Sequence, residues 1–378
     1  MAVYKLFPTQ DATLYSNFSV MNTGLDAILE VSNQMGLDGN PDVARYLIQF
    51  DTDEIQDVID NKIAGNSSSI YLKNFIAEAQ GINQSTLLEI RTLAQEWNNG
   101  TGYYGDSPSV KDGVSWEYTL YSGSGTWSMN GSNSGGTYTG SYNSTYASSG
   151  GGNWYTSSNY LITESFSLRN VKDIEINTTN IVNAWYSSSL PNYGFLVKLT
   201  GSLEFNSSQY VQPQFKFYSV DTNTIYPPTL EFRWRDYSTV LTGSATGSIV
   251  STSNIKMSIS ENPGTFYPES INRFYVNVSP LYPTRVYQTS SLYTNLNYLP
   301  TASYYAIKDL DTNEYVVNFD DNYTQISSDS IGNYFDVYMS GLEPERYYKI
   351  LIKTTIQGST IIYDDSYYFK VINGWVKV

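Results

Sequence analysis

The 378 residues are enough for two or three domains with real cores, and the composition is that of a folded chain: 40% apolar, 15% aromatic with 36 Tyr, and 15% charged. A formal charge of −15 repels phosphate backbones, so nucleic acid is not an expected partner. Zero Cys removes disulfides, thiolate nucleophiles and zinc–thiolate sites, and zero His removes the commonest general base and transition-metal ligand.

The excess of Tyr, Ser, Asn, Thr and Gly, with little helical periodicity, points to all-β structure, because aromatic and β-branched side chains fit pleated surfaces and small polar ones make turns. The first residues hold no long apolar segment, and nothing elsewhere approaches the roughly 18 apolar residues of a membrane span. The expectation is a mature protein that reaches its destination by assembly or by a route without a cleaved signal, and no membrane insertion.

In chain order, residues 2–7, 12–15 and 27–31 read as short strands, and 44–50 alternates with Tyr46, Ile48 and Phe50 on one face. Residues 53–63 read as a helix that Thr52 or Asp53 can cap, with Ile55, Val58, Ile59 and Ile63 as its apolar stripe. Residues 69–77 and 86–93 then read as a pair of strands joined through Gly81 and Asn83.

From 98 to 160 the character changes to Gly, Ser, Asn, Thr and Tyr, punctuated by Trp116, Trp127 and Trp154. A long loop of this kind is either functional or without fixed structure, and two readings stay open: a mobile surface insertion, or a stretch ordered in an assembled state. Strands resume at 164–168 and 171–176. Thr179 can cap a short helix carrying Ile181, Val182 and Trp185, and Asn192, Tyr193 and Gly194 turn the chain into 195–199.

The stretch 215–234 reads as a strand, a turn at 221–223, and a strand restarted after Pro227 and Pro228, with Leu230, Phe232 and Trp234 on its buried face. These residues close a first domain, 1–237. A small polar linker, 238–248, leads to a second domain, 249–378, with strand candidates at 255–259, 273–278, 303–307, 315–319, 334–339, 348–353 and 367–371. Seven short strands with regular turns suggest a sandwich.

The first domain resembles the DNRLRE family, a β-sandwich module related to carbohydrate-binding modules and found on bacterial surface proteins and in phage-encoded proteins. The resemblance rests on the order of several landmarks. They are Asp11 to Tyr15; Asn22 to Gly24; Leu29 to Val31; Arg45 through Phe50 and Asp51; Trp97 within 93–99; Ile181 to Trp185; and Asn192 to Gly194, before the strands around Pro228. The resemblance implies a jelly-roll-like sandwich with short helices, and the long insertion departs from the compact family pattern. In the second domain Leu342, Pro344 and Tyr348 match the spacing of fibronectin type III domains, which implies an immunoglobulin-like sandwich with a corner tyrosine bonded back to the chain.

Carboxylate chemistry remains open in principle, with Asp51, Glu96, Glu117 and Glu231 available, yet nothing in their spacing singles out a facing pair. No phosphate-cradling Gly motif stands between a strand and a helix. No catalytic residue is assigned and no cofactor is expected. The Asp clusters at 309–311, 320–321 and 364–365 are candidate oxygen ligands for a structural Ca²⁺, or acidic turn residues. Trp97 and Trp185 read as core. Trp116, Trp127, Tyr138, Tyr142 and Trp154 are candidates for contact with a partner or a glycan.

The expected function is that of a non-enzymatic bacteriophage virion protein, a tail, baseplate or surface component joining other virion proteins and copies of itself. The alternative is a glycan-binding adhesin module directed at a host surface, and a carboxylate-based polysaccharide hydrolase or lyase stands behind both.

Overall fold

The computed structural model describes residues 2–37, 39, 41–82, 85–120, 125–127, 150–167, 169–205, 212–239, 247–282 and 296–373. The fold is an all-β sandwich fold with a few short helices. The chain divides into two compact units, one made of Leu6–Lys62 and Ser69–Glu231, the other of Met1–Lys5, Ile63–Ser68 and Phe232–Val378.

The larger unit is built on an antiparallel sheet in the order Leu161–Phe166, Thr86–Thr92, Phe195–Leu199, Pro41–Gln49, Ile28–Met35, Gln214–Tyr218, Ile76–Gln80. Gln10–Tyr15 also pairs with Pro41–Gln49, in the register Ala12 to Leu47 and Leu14 to Arg45. In a second sheet Thr229–Trp234, Ser68–Asn74 and Ile174–Asn177 are neighbours in that order. The sheets enclose Tyr46, Phe166, Phe195, Phe215 and Phe217, all fully buried; the Phe166 and Phe215 rings sit 4.9 Å apart and Tyr46 and Phe217 5.7 Å apart.

Two strand pairings expected from sequence are not formed. Ser68–Asn74 pairs with Ile174–Asn177, whereas Thr86–Thr92 pairs with Leu161–Phe166 and Phe195–Leu199 in the other sheet. Likewise Gln214–Tyr218 and Thr229–Trp234, adjacent in sequence, lie in different sheets, so Pro227 and Pro228 mark a crossing between sheets and not a hairpin. Period-2 alternation identifies a strand with one buried face but carries no information on its neighbour. The helix after Phe50 also differs. Asp51 is its cap, its carboxylate Oδ1 accepting from the Asp53 and Glu54 amides, and the α-helix Thr52–Asp57 loosens into a π-helical turn, Val58–Ile63.

The smaller unit packs a sheet of Ile255–Ser260, Ile271–Pro280, Asn333–Tyr338 and Ser327–Ser328 with a sheet of Thr265–Phe266, Ser359–Val371, Tyr347–Ile356, Ser303–Asp309 and Tyr315–Val317. Its core is an aromatic stack: Tyr305 lies 4.3 Å from Phe335, which stacks on Phe274 at 5.5 Å. The buried Tyr348 donates from Oη to the Glu343 carbonyl at 2.9 Å beside buried Leu342, tying the turn through Pro344 to the strand that follows. Gln357 and Gly358 take positive φ at a tight turn between Tyr347–Ile356 and Ser359–Val371.

Candidate functional site

Described parts of the Gly/Ser/Tyr-rich insertion pack on the face of the large sheet that carries Leu14, Val43, Leu47 and Leu196. Trp116, Trp127 and Trp154 are only 4%, 4% and 6% exposed and share a cluster with Leu93, Trp97, Val114 and Leu196. The Trp97 indole N–H donates to the Tyr193 carbonyl at 2.9 Å and that of Trp127 to the Ser115 carbonyl at 3.0 Å. The three indoles named from sequence as contact candidates are therefore covered by the protein itself, because an exposed indole forfeits more area burial than any other side chain. Tyr138 and Tyr142 lie outside the described residues. Trp185 is buried against Phe195, with centroids 4.7 Å apart, and donates to Thr92.

Beneath these rings lies a buried ionic group. Arg45, 1% exposed, donates from Nε to Glu204 Oε1 at 2.6 Å and from Nη2 to Oε2 at 3.1 Å, while Lys198 Nζ reaches Oε2 at 3.2 Å. The Arg45 guanidinium is flanked by the rings of Trp116 at 4.8 Å and Trp154 at 5.3 Å. Its Nη1 donates to the Gly151 carbonyl at 2.5 Å, which ties the returning end of the insertion to the sheet. Burial pushes the Glu204 carboxyl up, but the two cations beside it win and hold it below the usual range.

Gly150, Gly151 and Gly152 all have positive φ, and a Cβ on Gly151 would sit 2.6 Å from Arg45 Nη1. The Gly run is a fitted joint. Next to this cluster Gly194 has φ +85°, and a Cβ there would also strike the Ile48 carbonyl at 2.2 Å, while Asn192 holds the turn by donating to the Phe50 carbonyl.

Asp11 is buried, accepts from the Val220 amide at 2.8 Å, and its pKa is pushed up to about 8 by burial, with the neighbouring Asp221 adding to the rise. Burial there favours the neutral carboxyl. The acidic clusters of the smaller unit serve turns and ion pairs: Asp309 accepts from the Asp311 and Thr312 amides and pairs with Arg346 at 2.6 Å, Asp320 accepts from the Asn322 amide, and Asp364 pairs with Lys349. Among the described residues no group of three or more acidic side chains is placed to hold a metal.

The feature best suited to a ligand is an open cleft of about 610 Å³ in the larger unit, floored by the solvent face of the sheet. Leu29, Val31 and Asn33 face the core, so Glu30, Ser32 and Gln34 face the cleft, and across the next strand Lys216 and Gln214 register with Glu30 and Ser32. Glu30 Oε1 accepts from Ser32 Oγ at 2.7 Å and from Gln214 Nε2 at 2.9 Å, and Tyr15 Oη donates to Oε2 at 3.4 Å.

One wall is aromatic. Tyr104, 55% exposed, lies 5.0 Å from Tyr15 and 5.9 Å from the 46% exposed Phe18. Its position is set by its own amide, which donates to both carboxylate oxygens of Asp26 at 3.0 and 3.1 Å; burial raises the Asp26 pKa, partly opposed by this bond. The insertion does contribute to the cleft, but through Tyr104, which sequence reading passed over in favour of Trp116, Trp127, Tyr138, Tyr142 and Trp154. The signal that could have found the floor is the Glu30, Ser32, Gln34 alternation facing that of Gln214 and Lys216.

No protein-family profile matches this chain, and no curated protein is significantly similar to it. Among solved structures, a crystal structure of a DUF4785 family protein from Legionella pneumophila aligns at 7% identity and a TM-score of 0.18, covering 98% of this chain. The chain spans 61% of that protein's length.

Proposed function

We propose that the chain is a non-enzymatic structural protein of a bacteriophage virion, a tail, baseplate or surface component acting as an assembly adaptor or adhesion module. The observation that carries this reading is the use of the insertion: its tryptophans lock it onto the sandwich, and its Tyr104 walls an open cleft whose carboxylates Asp26 and Glu30 already accept fixed hydrogen bonds. Carboxylates held this way suit binding better than proton transfer. Composition supports the same class, since a Cys-free, His-free, acidic, Tyr-rich β chain has broad contact area and little catalytic equipment. Other virion proteins and further copies of this chain are the partners. Proteomic mass spectrometry on purified particles tests the reading; absence from particles, together with a monomeric purified protein, defeats it.

A second reading, a glycan-binding adhesin module on a phage or bacterial surface, is favoured by the cleft, where exposed rings stand beside polar side chains. It is separated from the first by titration against host surface polysaccharide, where null binding counts against it.

A further inference from the structure

We infer that the outward face of the smaller unit's sheet around Tyr347–Ile356 is a docking surface for a second copy of this chain, and that it seats on the acidic cleft of that copy's larger unit. This rests on the self-association within the virion reading above and names the two surfaces that make it.

Strand alternation builds the face. Ile307, Tyr348, Ile350, Ile352 and Phe369 point into the core, so the residues between them point outward. Register then sets Lys308 beside Lys349, Lys349 beside Tyr368, Tyr347 beside Lys370, and Tyr304 beside Lys353. Four of the chain's 21 basic residues thus share one sheet face, and the outward positions of Ser303–Asp309 and Tyr347–Ile356 hold no carboxylate. Tyr347 and Tyr368 are 50% and 41% exposed, so the face is open to solvent.

Two of the four ammoniums are matched, Lys349 by Asp364 and Lys370 by Glu345. Among the described residues Lys308 and Lys353 form no ion pair. Lys308 lies 4.4 Å from the Tyr315 ring and donates to the Asn313 carboxamide, and Lys353 lies 4.8 Å from the Tyr304 ring and 5.0 Å from that of Phe319.

Charge picks the occupant. At −15, two copies meeting at random repel, and this face is a local exception. The cleft has the opposite balance: Asp26, Glu30 and Asp42 line it against one ammonium, Lys216, which Glu78 engages at 2.8 Å. The hydrogen bonds that Asp26 and Glu30 accept come from amide, hydroxyl and carboxamide groups, which leave the negative charge in place. The exposed Tyr104 and Phe18 rings add surface on which lysine stems and ammoniums pack. Face on face or cleft on cleft would bring like charges together, so each contact joins the smaller unit of one copy to the larger unit of another.

The test is sedimentation equilibrium of the full chain at about 50 mM and about 500 mM NaCl, between which the screening length changes about threefold. A mass above the monomer that rises with protein concentration at low salt and falls at high salt is expected. Lys308→Glu combined with Lys353→Glu weakens association by about tenfold or more, and so does Glu30→Gln combined with Asp42→Asn in the cleft. Lys256→Glu, on the other sheet of the smaller unit, leaves it unchanged. Mixing the face variant with the cleft variant restores association, limited to a dimer, because one intact face and one intact cleft remain between them. None of the substituted positions is fully buried, and thermal unfolding checks that each variant is folded. The inference is overturned by a monomer at every concentration in low salt, by association that both paired variants leave unchanged, by equal weakening in Lys256→Glu, or by no dimer in the mixture. Mass spectrometry of particles is independent of all these outcomes, so failure here leaves the virion reading standing.

Discussion

Replacing Glu204 by Gln probes the junction that holds the insertion. The substitution keeps the side-chain shape and removes the one negative charge between Arg45 and Lys198, which are 1% and 4% exposed. Arg45 then loses its carboxylate partner while Lys198 keeps Glu89 at 3.5 Å, and breaking a buried pair in this way costs about 3–5 kcal/mol. Against the roughly 5–15 kcal/mol that hold a typical domain together, this is a large fraction. With a urea dependence of about 3 kcal/mol per molar, the unfolding midpoint falls by about 1–1.7 M. Urea unfolding followed by Trp fluorescence reads the change, because Trp116 and Trp154 flank the Arg45 guanidinium. The native Glu204 also sets a pH window. Its folded pKa is lowered, so its contribution is present above the unfolded value of about 4.3 and is lost as pH falls through the folded value. The Gln variant loses less stability than the native protein on that acid limb. A midpoint shift under about 0.3 M, or an unchanged acid limb, refutes the account of this junction.

Gly151→Ala places a methyl 2.6 Å from Arg45 Nη1 on a backbone of φ +78°, and a loss of about 2 kcal/mol or more is expected in thermal unfolding; a neutral result contradicts the fitted joint. Asp11 works in the opposite sense to Glu204: with its pKa raised to about 8, its contribution is complete below the unfolded value of about 3.9 and is lost as pH rises through 8. Asp11→Asn therefore stabilises the protein at pH 9 and flattens the alkaline limb, and a destabilised variant at pH 9 counts against a protonated Asp11. Tyr348→Phe removes the donor to the Glu343 carbonyl and costs about 1–1.5 kcal/mol in the smaller unit, read by differential scanning calorimetry; an unchanged unfolding temperature removes the corner bond from the account.

Strands were legible in the sequence wherever one face is apolar, as in 44–50 and in all seven candidates of the second domain. The buried places of Trp97 and Trp185 were readable from their apolar neighbours. Strand partners were not, because Pro227 and Pro228 look the same in a hairpin connection as in a crossing between sheets. The Asp51 cap was missed by one residue: Asp51, Thr52 and Asp53 all have capping side chains, and only the backbone direction after Phe50 decides among them.

The site was half legible. Sequence pointed to the insertion but valued its indoles together with Tyr138 and Tyr142, and Trp116 and Trp154 turn inward over the buried guanidinium of Arg45, whose partner Glu204 stands more than 150 residues away in the chain. No local pattern reports a contact of that range. The cleft floor needs the register of Gln214 with Ser32 and of Lys216 with Glu30, which sequence alternation alone leaves free.

The measurement closest to the central claim is immunogold electron microscopy of intact particles with an antibody raised against the full chain. The account predicts regular labelling at one location on the particle, tail, baseplate or surface, retained after extensive washing. Gold confined to host debris, with unlabelled particles, contradicts it.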